Sequence, residues 1–182
     1  MHTASRGVVC SPMPSAAGEV WVVHNGDEPL AVRRAASAGE VRDWCWRELG
    51  MVAEPGTLPG TLRRLIDDAV AGRSGWRPRL EGLGDFRRRV LLETCEISAG
   101  TVRSYAWLAA RLGHPGAARA VGSALARNPL PLLVPCHRVV RADGRIGDYG
   151  CGGAAMKRAL LAAEGVELRR GIVTGCRPPA AW

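Results

Sequence analysis

Residues 128–165 decide the fold of this chain, and they read NPLPLLVPCHRVVRADGRIGDYGCGGAAMKRALLAAEG. The apolar run at 130–134 predicts a short buried strand that ends just before Cys136 and His137. Positive charge lowers the pKa of a neighbouring thiol, so the imidazole and the guanidinium of Arg138 favour a reactive thiolate. Because adjacent side chains of an extended strand point in opposite directions, the thiol and the imidazole need a local twist or a bridging water to exchange a proton.

A glycine-rich loop and a helix follow this segment. Residues 144–153 form the loop, and the pattern of 154–164 predicts the helix. Lys157 and Glu164 lie along one side of this helix, because a spacing of seven returns to nearly the same face. Glu164 is therefore expected to bind the far nitrogen of His137 and to fix its tautomer. Each feature alone also fits ordinary packing, and only their combination favours a reactive site.

Two short helices precede the segment. Ser104 is a good N-cap for a helix at 105–112, a Gly-His-Pro break follows, and 117–127 predicts a second helix. Such a pair is a helix-turn-helix candidate. The second helix is mostly Ala, Gly and Ser, so it lacks the long polar side chains that read base edges. Small residues instead allow close approach to a phosphate strand, with Arg119 as a lone probe, or simply tight packing against the neighbouring helix.

The positive charge of the chain is confined to its second half. Residues 1–100 contain 13 basic and 13 acidic side chains, whereas residues 101–182 contain 12 basic and 4 acidic ones. A localised, arginine-dominated excess indicates a polyanionic partner such as nucleic acid. A basic surface without a partner also fits, because Lys157 is the only lysine among the 25 basic residues, which points to a bias in genome composition.

The first half has the pattern of a small α/β unit. Apolar and β-branched residues on either side of an Asn-Gly-Asp turn predict a hairpin, helical spacing predicts two helices, and a stretch rich in Gly and Arg predicts a linker. The strands are expected at 19–24 and 29–33, the helices at 40–49 and 61–71, and the linker at 72–84. A further helix is expected at 86–97, so the predicted domains are 1–85 and 86–182.

Composition and cysteine spacing exclude several classes of protein. The chain has 182 residues, of which 47% are apolar and 23% charged, values that fit a globular protein rather than a disordered or fibrous one. It has neither a signal-type segment nor an apolar run of about 20 residues, so we expect a cytoplasmic protein without a membrane span. The cysteines contain no C-x-x-C pair and predict neither a zinc site nor a disulfide framework: Cys10, Cys45, Cys95, Cys136, Cys151 and Cys176.

The segment 128–165, together with SYAWLAARLGHPGAARAVGSALARNP at 104–129, resembles the O6-alkylguanine-DNA alkyltransferases. The resemblance covers residues 86–165 strongly and 1–85 only in outline. Its specific part is the combination of an asparagine hinge, the run PCHRV and a glycine loop followed by Lys and Glu. It implies an α/β N-terminal domain of ribonuclease-H-like fold. It also implies a mostly α C-terminal domain with a helix-turn-helix of winged-helix type, which carries the acceptor cysteine.

The resemblance also implies roles for individual residues. Cys136 is implied as the alkyl acceptor and His137 as its water-bridged base. Glu164 is implied to orient His137, and Asn128 to be the hinge that ties the recognition helix to the active-site strand.

The guanine pocket and the DNA contacts follow from the same resemblance. The pocket is implied to be lined by Tyr105, the Val139 carbonyl, Tyr149 and the Gly150 amide, with Lys157 closing its rim. The DNA contacts are implied for the recognition helix, where Arg119 replaces the flipped base from the minor groove, and are assigned to Ala118, Arg119, Gly122 and Arg127.

The implied activity is that of a methylated-DNA-protein-cysteine S-methyltransferase, which flips O6-alkylguanine out of duplex DNA and accepts the alkyl group irreversibly. A base-paired atom cannot be reached inside a duplex, so extrusion is needed. No cofactor or metal is expected, and the expected state is a monomer bound to double-stranded DNA. The main alternative is an alkyltransferase-like lesion sensor that binds without transfer, which the presence of Cys136 disfavours. A helix-turn-helix regulator and a cysteine hydrolase are weaker alternatives, since a base-reading helix and an oxyanion arrangement are missing.

The loop between Tyr149 and Lys157 is one residue longer than the family pattern, which affects the expected pocket rim and the range of alkyl sizes. Cys151 lies in this loop and is expected near the rim of the pocket that holds Cys136. Two alternatives stay open for it. Either peroxide links it to Cys136 in a disulfide, or it is a loop residue that never meets the acceptor.

Overall fold

The computed structural model describes residues 7–15, 18–73 and 75–175. The structure does not describe the first six residues or the last seven, and Cys176 is among the latter. The outer ends of both predicted domains therefore lie outside the described residues.

A mixed four-stranded sheet forms the first half, in the order β3-β2-β1-β4. Its strands are β1 Val8–Ser15, β2 Gly18–Asn25, β3 Glu28–Arg33 and β4 Ala53–Pro55. The first three pair as antiparallel neighbours, and β4 runs parallel to β1. The predicted hairpin is confirmed, whereas β1 and β4 were not predicted from the sequence. The sequence does not predict β1 because this segment contains Pro12 and Pro14. Proline lacks a backbone N–H and is therefore disfavoured in a strand inside a sheet.

Helices α1 Ala38–Trp44 and α2 Gly60–Val70 accompany the sheet. Ser37 caps α1 by accepting a hydrogen bond from the Glu40 amide at 3.3 Å. A π-helical turn, Cys45–Leu49, continues α1 and ends at Gly50 in the left-handed conformation. The two predicted helices are therefore present, with ends shifted by one or two residues. Residues 72–84, apart from the undescribed position 74, form neither helix nor strand, as the linker prediction requires.

The second half is mostly helical. Its helices are α3 Asp85–Thr94, α4 Tyr105–Arg111, α5 Ala118–Ala126 and α6 Gly153–Ala163. Two short strands, β5 Arg103–Ser104 and β6 Val139–Val140, pair in parallel, and β7 Glu167–Arg169 pairs with β8 Ile172–Gly175 as a hairpin. Ser104 caps α4 through the Trp107 amide at 3.0 Å, which stabilises such a helix end by about 1 kcal/mol.

The predicted arrangement of α4 and α5 as a helix pair is confirmed, and the fold class is confirmed with it. Gly113 and Gly116, both at positive φ, form the turn between the two helices. Two details are wrong: the helix predicted at 86–97 ends at Thr94, and the β7-β8 hairpin was not anticipated.

The strand predicted at 130–134 is also wrong. The run folds into turns, in which the Val134 amide donates to the Leu130 carbonyl at 2.8 Å, and Leu132 lies at a φ of 78°. Pro131 and Pro135 remove two backbone donors, so the run cannot make a regular ladder. The prediction of burial nevertheless holds, because every residue of the run is buried.

The main apolar cluster takes side chains from both halves. Val22 of the sheet and Ile66 of α2 belong to the same cluster as Val90 of α3 and Leu108 of α4. A backbone hydrogen bond from the Val32 amide to the Pro129 carbonyl, 2.8 Å long, joins β3 to the end of α5. The division at residue 85 remains a prediction. Among the described residues, no helix is both long and apolar enough to cross a bilayer.

Candidate active site

Cys136 opens a 3-10 turn, Cys136–Arg138, that replaces the expected strand end. Asn128 connects the end of α5 to this turn. Its side-chain amide donates to Cys136 Sγ at 3.0 Å and to the Val134 carbonyl at 3.1 Å, while its oxygen accepts from the Leu130 amide at 3.0 Å. The predicted hinge contact is therefore present, and the Asn128 amide donates directly to the sulfur atom of Cys136. A donor aimed at sulfur stabilises the thiolate more than the thiol.

His137 is fully buried and hydrogen-bonded to Glu164, as expected from the sequence. The distance from His137 Nε2 to Glu164 Oε1 is 2.9 Å. Hydrogen bonds to His137 and Arg138 hold the pKa of Glu164 down at about 2, although burial alone raises it. The carboxylate is thus an acceptor only, so Nε2 carries the ring proton and Nδ1 presents a lone pair. Nδ1 is buried and has no hydrogen-bond partner among the described residues.

Arg138 is a part of the site whose role was not identified from the sequence. Its Nε and Nη2 donate to Glu164 over 2.8 to 3.1 Å, and its Nη1 donates to the Ile97 carbonyl at 2.6 Å. The Gly100 amide adds a fourth donor to the same carboxylate, at 3.0 Å. The sequence pattern indicates Arg138 only as a positive charge near the thiol. The sequence signal was available, because an arginine next to a buried His-Glu pair needs a carboxylate partner.

The environment keeps Cys136 protonated at rest. Burial raises the pKa of the Cys136 thiol, whereas the Asn128 hydrogen bond and the charge of Lys157 lower it. Burial also lowers the pKa of His137, against the opposing effect of Glu164, so the imidazole is neutral near pH 7. A protonated thiol beside a neutral, oriented imidazole is the arrangement that general-base activation requires.

Lys157 does not lie at the rim of a pocket. Its side chain is 1% exposed, and its Nζ donates to the Val139 carbonyl at 2.7 Å. α6 begins at Gly153, so Lys157 lies one turn into the helix on the inward face that also carries Leu160 and Leu161. Burial lowers the pKa of Lys157 to about 8. The Val139 carbonyl, implied as a ligand of guanine, therefore already accepts a hydrogen bond from the Lys157 ammonium, which occupies one of its two lone pairs.

A cavity of 240 Å³ lies over the thiol, where the resemblance implies that guanine binds, and for that reason we refer to it as the guanine pocket. Its walls include Tyr105, Gly122, Cys136, Tyr149 and Gly150, all of which the resemblance assigns to the site, with Gly122 as a DNA contact. A Cβ at Gly122 would lie 3.9 Å from the Tyr105 ring, an ordinary contact distance, so this position of α5 packs directly beside the ring. Val139 and Lys157 do not line this cavity.

Tyr149 closes the pocket beside the histidine. Its ring stands edge-on to His137, with 6.4 Å between ring centroids, and its buried hydroxyl has no hydrogen-bond partner of normal geometry within the described chain. Burial and then the neighbouring Cys136 thiol raise its pKa well above 10, so the phenol stays protonated. Tyr105 is also protonated, since burial raises its pKa. Both hydroxyls are available to a bound base as donors.

The predicted DNA contacts lie on α5 and directly after it. Arg119 is exposed on the helix, Arg127 is exposed at its C-cap, and Ala118 and Gly122 are partly exposed on the helix. Arg119 forms no ion pair with any described carboxylate. The structure thus leaves these residues accessible, and their contacts with DNA remain predictions.

Comparison with known proteins identifies the second half directly. A family model described as 6-O-methylguanine DNA methyltransferase, DNA binding domain, matches residues 85–166. The methylated-DNA-protein-cysteine methyltransferase of Mycobacterium tuberculosis is 50% identical over 112 residues, which cover 61% of this chain and 67% of that protein. That of Mus musculus is 47% identical over 98 residues, or 53% of this chain and 46% of the mouse protein. The chain spans about half the length of the rodent relatives that it matches.

Solved structures extend the match to the first half. The crystal structure of Mycobacterium tuberculosis OGT in complex with DNA has a TM-score of 0.67 at 31% identity, and covers 86% of this chain and 92% of that one. The O6-methylguanine-DNA methyltransferase of Pyrococcus kodakaraensis has a TM-score of 0.66 at 26% identity, and covers 87% and 99%. By the sequence of its second half and the fold of most of its length, the chain belongs to the O6-methylguanine-DNA methyltransferase family.

Proposed function

We propose that this protein repairs O6-alkylguanine in double-stranded DNA by accepting the alkyl group on Cys136, as a methylated-DNA-protein-cysteine S-methyltransferase. One observation carries the proposal. Cys136 Sγ accepts a hydrogen bond from Asn128 and also lines the pocket between Tyr105 and Tyr149. A thiol held in this way meets whatever base enters the pocket. Since the product is a thioether without a good leaving path, each molecule reacts once.

The proton of the thiol has a defined acceptor. Glu164 holds a proton on His137 Nε2, so Nδ1 takes up the thiol proton through a bridging water. Arg138 keeps Glu164 ionised and stationary during this transfer. The thiolate that forms is stabilised by the Asn128 amide and by the charge of Lys157.

The transfer itself is a displacement at the carbon bound to O6 of guanine. The sulfur-carbon bond forms as the carbon-oxygen bond breaks, and the electron pair of that bond stays on the guanine. The guanine takes up one proton as it leaves, which is balanced by the thiol proton that His137 has accepted. Tyr105, Tyr149 and the Gly150 amide are the donors that the pocket offers to the departing base. No metal or redox partner is needed to balance this step.

Access to the base depends on α5. The helix exposes Arg119 at its start and consists mainly of small residues. These features suit a minor-groove contact that does not depend on the base sequence of the DNA. Damage occurs at any guanine, so binding through phosphates and groove shape fits the task better than base readout. Arg119 fills the gap that the extruded nucleotide leaves.

The decisive experiment locates the alkyl group. The protein is incubated with a duplex that carries an O6-methyl label, and the labelled peptide is identified by mass spectrometry. We expect one label per molecule on Cys136, and none in Cys136→Ala, whose DNA affinity stays within a few-fold. Tight binding of the lesion without any label would contradict the proposal and would be the behaviour of a lesion sensor.

Arg119 provides an independent test of base flipping. We expect Arg119→Ala to slow transfer from duplex DNA far more than transfer from free O6-benzylguanine, because a free base needs no extrusion. Equal losses on the two substrates would assign Arg119 a purely structural part. Arg158→Ala, an exposed arginine on α6 outside the predicted interface, is the matched control.

A further inference from the structure

A second cavity, of 520 Å³, adjoins the guanine pocket at Cys136 and Gly150. Four arginines line it, and we call it the arginine cavity: Arg33, Arg34, Arg87 and Arg127. The first two come from the end of β3 and the residue after it, whereas the others come from α3 and from the end of α5. The cavity therefore lies between the two halves of the chain.

The four guanidinium groups have few partners. Among the described residues, none of them forms an ion pair, although one carboxylate, Glu48, lines the same cavity. The Nε atoms of Arg33 and Arg87 are buried and meet no hydrogen-bond acceptor within the described chain. A buried donor without a partner destabilises the protein, and more so when it is charged. Such donors indicate a site for an oxyanion.

Two of the arginines are held in place by the protein. The Arg33 guanidinium lies 4.4 Å from the centre of the Trp44 ring, and Arg87 donates through Nη2 to the Arg127 carbonyl. Burial lowers the pKa of both groups, and both side chains are only partly exposed. Fixed, partly buried guanidinium groups bind a phosphate with less loss of entropy and hydration than mobile surface lysines do.

The arginine cavity and the guanine pocket share a wall. Leu125, Ala126, Cys136 and Gly150 line both cavities. A Cβ at Gly150 would come within 2.8 Å of the Ala126 carbonyl oxygen, so this wall is a direct backbone contact between α5 and the loop. A nucleotide whose base lies in the guanine pocket therefore keeps its own phosphates close to the edge of the arginine cavity.

We infer that the arginine cavity binds a backbone phosphate of the damaged strand, beside the nucleotide whose base occupies the guanine pocket. The inference rests on the proposed function and extends it, because it gives the first half of the chain a direct part in holding DNA. The cavity contains four arginines and a single carboxylate, that of Glu48, so it has an excess of positive charge. This excess suits a nucleic-acid strand, which carries one negative charge per nucleotide, better than it suits a single carboxylate of a protein partner.

Two variants and one control test this inference. Arg34→Ala removes an exposed member of the cavity, and Arg33→Gln removes a charge over Trp44. Arg64→Ala is the control, since Arg64 is an exposed arginine of the first half that lines neither cavity. Affinity for a duplex with O6-methylguanine is measured in the Cys136→Ala background over a range of salt. We expect each cavity variant to bind about three- to tenfold more weakly with a salt slope smaller by about 1, and the control to bind like the parent.

Neutral methylphosphonate linkages then locate the phosphate. Each linkage flanking the lesion is replaced in turn, and we expect one position whose replacement weakens the parent but not Arg34→Ala or Arg33→Gln. Additive losses at every position, or equal losses in Arg34→Ala and Arg64→Ala, would overturn the inference. So would inorganic phosphate that raises the melting temperature of the parent alone, without coupling to any linkage, because the site would then take a free anion. Transfer from free O6-benzylguanine by the variants shows separately that the proposed function stands.

Discussion

Each half of the molecule contains a buried histidine, and the two are used in opposite ways. In the sheet, His24 Nδ1 donates to the Gly26 carbonyl at 2.9 Å, and its Nε2 accepts from the Ser11 hydroxyl at 3.0 Å. In the site, His137 uses only Nε2, toward Glu164, and its Nδ1 has no partner in the described chain. Burial lowers the pKa of both rings. The unused lone pair, and not burial or the pKa, distinguishes a base from a structural histidine.

The surroundings of the two rings support the same distinction. Ser11 and His24 form a pair that looks like a nucleophile and its base, but both are buried, and neither lines the guanine pocket or the arginine cavity. Cys136 and His137 lie next to the guanine pocket, although they are as deeply buried. The hydrogen bond from the Ser11 hydroxyl to His24 links β1 to β2, so this pair has a structural role.

The largest expected difference between the two histidines is in the transfer rate after each is replaced by glutamine. We expect His137→Gln to slow methyl transfer by about 100-fold or more, because the general base is lost. His24→Gln should leave the transfer rate of the folded protein within about twofold and reduce the free energy of unfolding by about 1–3 kcal/mol. Single-turnover rates and urea unfolding of both variants check this, and a slow His24→Gln variant with normal stability would contradict the comparison.

An intermediate effect is expected at Arg138, which has no counterpart beside His24. Arg138→Met leaves the Glu164 charge without its guanidinium, so the pKa of His137 rises and its protonation begins at higher pH. The acid limb of the transfer rate against pH should therefore move to higher pH, with a loss of about tenfold near pH 6.5. Arg138→Lys, which keeps the charge, should restore part of the profile. Circular dichroism on each sample selects the temperature at which both variants are folded, and an unshifted limb would assign Arg138 to stability alone.

The smallest effect concerns the stability of the sheet at acid pH. The pKa of His24 is lowered in the folded protein, so below about pH 6.5 the unfolded chain binds a proton that the folded chain does not. The free energy of unfolding therefore falls as the pH decreases from 7 to 5, and it should fall less steeply in His24→Gln. Glu164, with a pKa of about 2, contributes to the slope only below about pH 4.5. Urea titrations at several pH values measure both slopes, and equal slopes in the two proteins would mean that His24 has the same pKa in the folded and the unfolded chain.

The local pattern was sufficient for the elements that depend on neighbours in sequence. Helical spacing predicted α2, α4, α5 and α6 to within about two residues, and the Asn-Gly-Asp turn predicted the hairpin. The seven-residue spacing also brought Glu164 to the correct face of α6 to meet His137. Interactions between residues close in sequence decide these features, so the sequence alone specifies them.

Tertiary structure decided the remainder, because those features depend on groups far apart in the chain. Pro131 and Pro135 turned an apolar run away from the expected strand, and the place of Lys157 followed from the packing of α6 against β6 rather than from its position after a glycine loop. The hydrogen bonds of Arg138 link residues 97, 138 and 164, and the arginine cavity combines side chains from residues 33 to 127. The composition of the sequence determined that the protein is basic, and the order of its residues placed a thiol next to a histidine. Only the packing of the two halves determined which charges are paired, which lone pair is free and where space remains for a ligand, since each depends on distances that local pattern does not encode.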